Sequence, residues 1–304
     1  MNVANRNIYI TGFVLTFIGA ILFSTKAIFV KLAFANTTVD AISLLVLRMF
    51  FSVPFYLSVA FFYSRKENNV KFTRLQWAKI IFLGILGYYL SSLFDFIGLQ
   101  YISAGLERLI LFLYPTFAIL INAAVYGKKI NRVQQLALLL TYAGIAIAYF
   151  GELSLDNTAP GFLKGSFFIF LCALCFSVYL VGSGRLIPMV GATKFTAYTM
   201  SAASLGVFLH YFLSGNTNVH FSMPVLGYGF LLAIVATVIP TFFISNGLKK
   251  IGSNNVAIIS SIGPVSTILQ AHFILGEKLI FAQVAGTILV IAGILLTGWR
   301  NRDI

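Results

Sequence analysis

Six ionisable side chains interrupt apolar stretches of this 304-residue chain: Lys26, Lys31, Arg48, Asp95, Glu107 and Arg108. A charge at the centre of a membrane helix costs roughly 2.5–3.5 kcal/mol. Several such charges therefore need each other, or a wet cavity. All six lie in the N-terminal half, four positive and two negative. That surplus favours an anionic or carboxylate-bearing ligand. Helical spacing groups their neighbours by face. Gly12, Thr16, Gly19 and Lys26 share one side of a helix, and Gly84, Tyr88, Ser91 and Asp95 share another. Glu107, Leu111 and Tyr114 form a third stripe, with Arg108, Pro115 and Asn122 beside it. Ser260, Pro264, Thr267 and Ala271 repeat the pattern without charge.

The candidate substrate cavity is thus Lys26, Arg48, Tyr88, Asp95, Glu107, Arg108, Tyr114, Tyr179 and Asn246. Structural roles compete for several of these. Lys31 has the length to snorkel to the interface. Asp95 with Arg108 or Arg48 fits a purely structural ion pair, and Glu107 and Arg108 fit an outer rim. His210 and His272 fit the interface better than a proton relay, and buried tyrosines and amides are common in bundles.

The elements that must position these groups are membrane helices. The chain is 59% hydrophobic and 10% charged, against roughly 25% charged for a soluble domain. Apolar runs near twenty residues recur along its length. Ten spans are expected, at 8–34, 42–63, 76–98, 103–126, 133–151, 161–185, 193–213, 225–247, 255–275 and 280–299. With the N-terminus inside, fifteen Lys and Arg fall at inner ends or loops, and only Lys164 and Lys278 fall outside. The fifteen include Arg6, Lys66, Lys128, Arg300 and Arg302. Both termini are then expected in the cytoplasm, and the protein in the cytoplasmic (inner) membrane. The net charge of +13 is an orientation signal, with no nucleic-acid partner implied.

A duplication underlies the order. Residues 98–129 return 149 positions later as 247–278: Gly98-Leu99 matches Gly247-Leu248, Ile102 matches Ile251, Pro115 matches Pro264, and Gly127 matches Gly276. Gln134 pairs with Gln283 at the same offset. Repeats of this kind decide the fold before single elements do. Five helices per half put the second copy in the membrane upside down, the pattern of secondary transporters with a site between the halves. The units are 1–151 (spans 1–5) and 152–304 (spans 6–10). Pro115 and Pro264 are candidate symmetric hinges. One difference stands out: Glu107-Arg108 in the first copy is Val256-Ala257 in the second.

No catalytic constellation appears. The acidic residues are scattered singly, and Ser183 in V-G-S-G has no His at comparable depth. No P-loop is present. Cys172 and Cys175 form a C-x-x-C inside an apolar helix, without a second pair or nearby His, and read as packing residues. No metal site is expected, and an intramembrane enzyme is the weakest of three readings. A non-transporting scaffold or receptor does not explain the buried charges clustered in one half.

The G-L-x-x-I lead into a Pro-containing helix, the turn ILGEKL at 274–279 and its degraded copy VYGKKI at 125–130 resemble the drug/metabolite transporter superfamily, in its EamA-type branch. The resemblance covers nearly the whole chain and is strongest over 98–150 and 247–299. It implies an all-α membrane bundle of ten helices in two inverted repeats, with a central cavity. It implies transport of small metabolites, often export of amino acids or related compounds, with no catalytic residue and no bound cofactor. The expected function is therefore a secondary transporter moving a small polar metabolite, with a proton or counter-substrate as candidate coupling partner. The charged LERL run at 106–109 marks a variant whose substrate the family does not specify.

Overall fold

The computed structural model describes residues 3–65, 71–127, 129–130, 132–154, 160–215 and 221–299. The charges Lys66, Lys128, Arg300 and Arg302 lie outside the described residues, as do parts of the polar joins at 156–160 and 214–222. Thirteen α-helices and three short π-helices make up the described elements. In order they are α1 (Val3–Asn36), α2 (Ala41–Ser64), α3 (Arg74–Gly84), π1 (Ile85–Leu90), α4 (Ser91–Gly98), α5 (Ala104–Leu111), α6 (Tyr114–Tyr126) and α7 (Arg132–Leu153). Then follow α8 (Phe162–Val190), α9 (Ala192–Leu213), α10 (Met223–Ala233), π2 (Ile234–Val238), α11 (Ile239–Ser260), α12 (Gly263–Gln270), π3 (Ala271–Leu275) and α13 (Phe281–Trp299).

Local chemistry sets several boundaries. Asp40 caps α2 by accepting from the backbone N–H groups of Ile42 and Ser43, and Thr73 with Gln76 forms a reciprocal capping box at α3. Each satisfies donors that a helix start leaves free. Gly127 and Gly276 end α6 and π3 in the left-handed region, at φ 63° and 70°, where a side chain would be strained.

Seven helical stretches among the described residues are long and apolar enough to cross a membrane. They include α3–π1–α4 and α5–α6, each taken as one span. Of the other expected spans, α9 is diluted by Lys194, His210 and several hydroxyls, and α13 contributes an apolar helical stretch described over Phe281–Gly293. The stretch after Ser260 is broken before Gly263.

Two expectations change. The prolines Pro115 and Pro264 do not kink continuous helices. Each sits in the first turn of a new helix, α6 or α12, after a break at 112–113 or 261–262. Proline suits that position because its missing N–H would have no partner there anyway. Second, helical backbone runs through 247–255, where a loop between two spans is expected. The segment has no proline, and its lysines are good helix formers. Its neighbours along α1 still reverse. Gly12 meets Ile251 and Gly19 meets Phe243, but Ser24 donates to the Gly263 carbonyl at 3.1 Å. A straight α11 would carry Gly263 away from Ser24, so the chain doubles back between 251 and 263.

The 149-residue offset reappears in the backbone. α3 and α10, π1 and π2, the breaks at 112–113 and 261–262, and the left-handed Gly127 and Gly276 correspond at that spacing. Packing follows the same exchange: α2 lies on α9 and α7 on α13, while α1 lies on α11 and α8 on α4. Close approach of α7 and α13 requires Gly144, since a Cβ there would stand 2.5 Å from the Gly286 carbonyl oxygen.

Candidate functional site

Lys26, on the face of α1 turned toward α4 and α5, organises the polar interior. Its Nζ is 2.7 Å from Asp95 Oδ2 and 3.9 Å from Glu107 Oε1. Both carboxylates have no exposed surface. No hydroxyl, amide or guanidinium hydrogen-bonds to either among the described residues. Two acids thus rely on one ammonium in a site where an uncompensated charge is strongly unfavourable. Lys26 is the partner of Asp95; the expected pairing with Arg48 or Arg108 does not occur. Lysine reaches Asp95 because α1 runs alongside, while the arginines are held elsewhere.

Arg48 is 4% exposed. Its Nε donates to Thr237 Oγ1 at 2.8 Å, its Nη1 donates to Ser92 Oγ at 3.0 Å, and the guanidinium lies 5.7 Å from the Phe96 ring centre. Thr237 belongs to π2, and Ser92 lies in the first turn of α4, just after π1. Arg48 therefore ties π2 to the start of α4. Such single-turn widenings often occur at functional sites. Here π1 also puts Gly87 against the Tyr179 ring, where no side chain would fit.

Arg108 packs over Phe112, 5.5 Å from the ring centre, and over Gly263. A Cβ at Gly263 would stand 2.8 Å from its Nη2. Its Nε is buried and has no hydrogen-bond partner among the described residues.

These groups meet at a cavity of about 280 Å³. Lys26, Arg48, Tyr88, Asp95, Arg108 and Tyr114 line it from the first half, with Cys172, Phe176, Ile244 and Ser260 from the second. Glu107 stands behind the wall, reaching it through Lys26. Tyr179 supports the wall: its hydroxyl donates to that of Tyr88 at 3.3 Å, and the rings are 4.9 Å apart. Asn246 is a correction. It is exposed, and its amide donates to the Phe242 carbonyl of its own helix at 2.9 Å. The α11 face that meets the cavity carries Ile244 instead. Pro115 borders a separate small void beside Thr141 and Gly293, and Pro264 is buried.

Several participants are not evident from sequence. Ser92 and Thr237 look like ordinary helix hydroxyls. Cys172 reads as packing, and both cysteines are free, yet Cys172 lines the cavity. A second polar cluster fastens the start of α5. Glu277 accepts from the Ala104 N–H at 2.9 Å and the Gly105 N–H at 3.4 Å. Ser103 and Gln283 both donate to Glu152 Oε2, at 2.9 and 2.7 Å. Lys31 donates to the Ile102 carbonyl at 2.8 Å, so it holds this loop as well as reaching toward an end of the bundle. The one forewarning was the paired position of Gln283 in the duplication. His210 bonds to Tyr89, and His272 to the Glu277 carbonyl.

Arranged this way, the cavity presents a carboxylate and guanidinium groups side by side, between aromatic walls. It can hold a small molecule bearing opposite charges. Among the described residues no cluster of three or more His, Cys, Asp or Glu is placed to hold a metal.

Comparison with known proteins agrees with this architecture. Residues 10–150 and 163–299 each match the EamA-like transporter family. The uncharacterized transporter YcbK of Bacillus subtilis (strain 168) is 32% identical over 285 residues, covering 90% of this chain and 88% of that protein. An uncharacterized transporter of Archaeoglobus fulgidus is 23% identical, covering 93% and 94%. A solved crystal structure superposes with a TM-score of 0.66 over 96% of this chain and 97% of that one; at 18% identity it speaks to the fold alone. An integral membrane bundle, matched twice along its length by one family and aligned nearly end to end with transporters, has one assignment: the chain belongs to the EamA-like transporter family.

Proposed function

We propose that this protein is a secondary transporter. It moves a small polar, carboxylate-bearing metabolite of the amino-acid type across the cytoplasmic membrane, in the direction of export, by alternating access. The observation that carries this is the cavity itself, where Asp95 and Arg108 offer complementary charges to a zwitterion. Its wall is drawn from both halves of the chain, as expected for a site between two repeats.

The 149-residue correspondence of helices, π-turns, breaks and terminal glycines supports two five-helix units, 1–151 and 152–304, inverted in the membrane to give ten crossings. Cytoplasmic termini follow from the positive-inside distribution. In this reading the breaks before Pro115 and Pro264 are the hinges, since interrupted backbone absorbs rotation at least cost.

Flux measured in proteoliposomes with a panel of labelled L-amino acids and related carboxylates tests this. Exchange of one or more labelled compounds across the membrane is expected, reduced at least tenfold in Arg108→Ala. No exchange by the correctly inserted wild type across the panel, with or without a pH gradient, removes the reading.

A further inference from the structure

The start of α5, the short helix that carries Arg108 into the cavity, is held from four other parts of the chain. Ser103 caps it locally, accepting from the Leu106 N–H at 3.0 Å. The other ties come from far along the sequence. Glu277, in the turn between π3 and α13, accepts from the Ala104 and Gly105 N–H groups. Glu152 of α7 accepts from Ser103 and from Gln283 of α13. Lys31 of α1 donates to the Ile102 carbonyl, and its ammonium lies in the field of both carboxylates. Glu277 is itself fixed in place. Left-handed Gly276 precedes it, its N–H donates to the Ala271 carbonyl at 3.2 Å, and His272 bonds its own carbonyl. α7 and α13 are locked together beside it, since a Cβ at Gly151 would collide with that of Ala282. At its far end α5 stops at the 112–113 break. One end of α5 is thus fastened to the α7–α13 post, and the other is free of α6.

We propose that this cluster is the clasp of the outer gate: α5 is the moving element, and Glu277 holds it closed against the α7–α13 post. The chemistry suits a contact remade in every cycle. The N–H groups of a helix start accept water as a partner as readily as a side chain, and a carboxylate does the same. Opening therefore exchanges partners and strands none. Glu277 is only half-buried, at the end of the bundle that the positive-inside distribution puts outside. The glycine seam between α7 and α13 has no such replacement, so it stays shut. When α5 swings away, Arg108 leaves its seat over Gly263 and the cavity opens outward. Glu277 is a positioning residue, acting on the cavity through α5. The duplication supplies the clasp at one end only. At the 149-residue offset, Glu277 and Glu152 correspond to Lys128 and Asn301, neither of them a carboxylate. The inference rests on the transporter reading and names the gate of that site.

Cys172 lines the cavity, and Cys175→Ser leaves it the only thiol of the full chain. Its modification in oriented proteoliposomes reads the gate without any substrate. The probe is a small, membrane-impermeant, sulfonate-bearing methanethiosulfonate, added to one face at a time. In that background Glu277→Ala is expected to speed modification at least fivefold from the outer face, opposite the chain termini, with no rise from the inner face. Glu277→Gln keeps one acceptor oxygen and should give a smaller rise in the same direction. An unchanged rate from the outer face overturns the clasp. An equal rise from both faces marks general loosening of the bundle and overturns it as well. If Glu277→Ala fails to fold, Glu277→Gln and Gln283→Ala decide by the same one-sided readout. Exchange of the labelled L-amino-acid panel keeps the two readings apart. Absence of all exchange in the wild type sinks the transporter reading, while the one-sided thiol result stands by itself. Wild-type exchange with unchanged outer modification in Glu277→Ala sinks the clasp alone.

Discussion

Asp95 and Ile244 are 149 residues apart and both line the cavity, one as a buried carboxylate and the other as a hydrocarbon. Leu111 and Ser260 form a second such pair. Tyr88 in π1 corresponds to Thr237 in π2, which holds Arg48. Glu107 corresponds to Val256, which is also buried. The two halves thus share a helix break before Pro115 and Pro264, a π-turn and a terminal glycine, and differ where side chains meet the cavity. The lesson is a division of labour. Backbone breaks and turns are kept in both halves, and the buried charges are concentrated in one. The second half takes part by supplying seats: Thr237 for Arg48, and Gly263 for Arg108.

The largest test of this division removes the cation that both acids use. Lys26→Ala leaves two buried carboxyls without a partner. Breaking a buried pair in this way costs about 3–5 kcal/mol. The protein should still insert, since the helix becomes more apolar, but thermal stability should drop sharply and exchange should fall by more than a hundredfold. Thermal unfolding in detergent and flux in proteoliposomes measure both. Wild-type flux in Lys26→Ala would remove the charged half from the site.

Arg48→Ala comes next. It strands Thr237 and Ser92 rather than an opposite charge, and each lost hydrogen bond to a charged group is worth about 1.5–3 kcal/mol. Exchange should fall at least tenfold with a smaller loss of stability than Lys26→Ala. Because Arg48 touches both halves, Thr237→Val should reproduce part of the effect from the second half. If Thr237→Val is silent while Arg48→Ala is severe, the second half is not a seat.

Much of this asymmetry could be read in the sequence, for a physical reason. Glycine and proline report backbone geometry, so the duplication carried Pro115/Pro264 and Gly127/Gly276 at a fixed offset, and the folded backbone keeps that offset. Charges in apolar helices are expensive, so Lys26, Arg48, Asp95 and Arg108 stood out, and they line one cavity. Partner choice was not legible. Asp95 was expected to pair with Arg108 or Arg48, and only the packing of α1 beside α4 and α5 brings Lys26 to it instead. Hydroxyls were not legible either, because most in this bundle bond their own helix, as Ser52 does to the Arg48 carbonyl. Thr237 does so too, to Leu232, while also accepting from Arg48. Glu152 and Glu277 sit at helix ends, where acids are commonplace, and their convergence on α5 depends on tertiary contacts.

Because both breaks carry a proline, the two proposed hinges offer a test of symmetry with a moderate effect. Pro115→Ala and Pro264→Ala each restore an N–H at a helix start, where proline is favoured but not essential. Each is expected to cost about 1 kcal/mol or less in stability. Each should slow exchange severalfold while leaving apparent affinity nearly unchanged, since neither contacts the charged groups. Comparable slowing in both supports equivalent hinges. A strong effect at Pro115 with none at Pro264 would make movement as lopsided as the chemistry.

The smallest effect is expected at Asn246, and it sharpens the comparison from the unchanged side. Asn246 lies two residues after Ile244 on α11, which places it about 200° around the helix. Its amide is spent on the Phe242 carbonyl at an exposed position. Exposed substitutions away from caps and cores change stability within about 0.5 kcal/mol, so Asn246→Ala should leave both unfolding temperature and exchange near wild type. Ile244→Asn, which puts an amide into the wall of the cavity that Asp95 also lines, should alter exchange instead. The pair separates two explanations of the apolar second half. If Asn246→Ala is neutral and Ile244→Asn is not, the second half is apolar at the cavity because the ligand's apolar side meets it there. If both are neutral, selection rests on the first half alone.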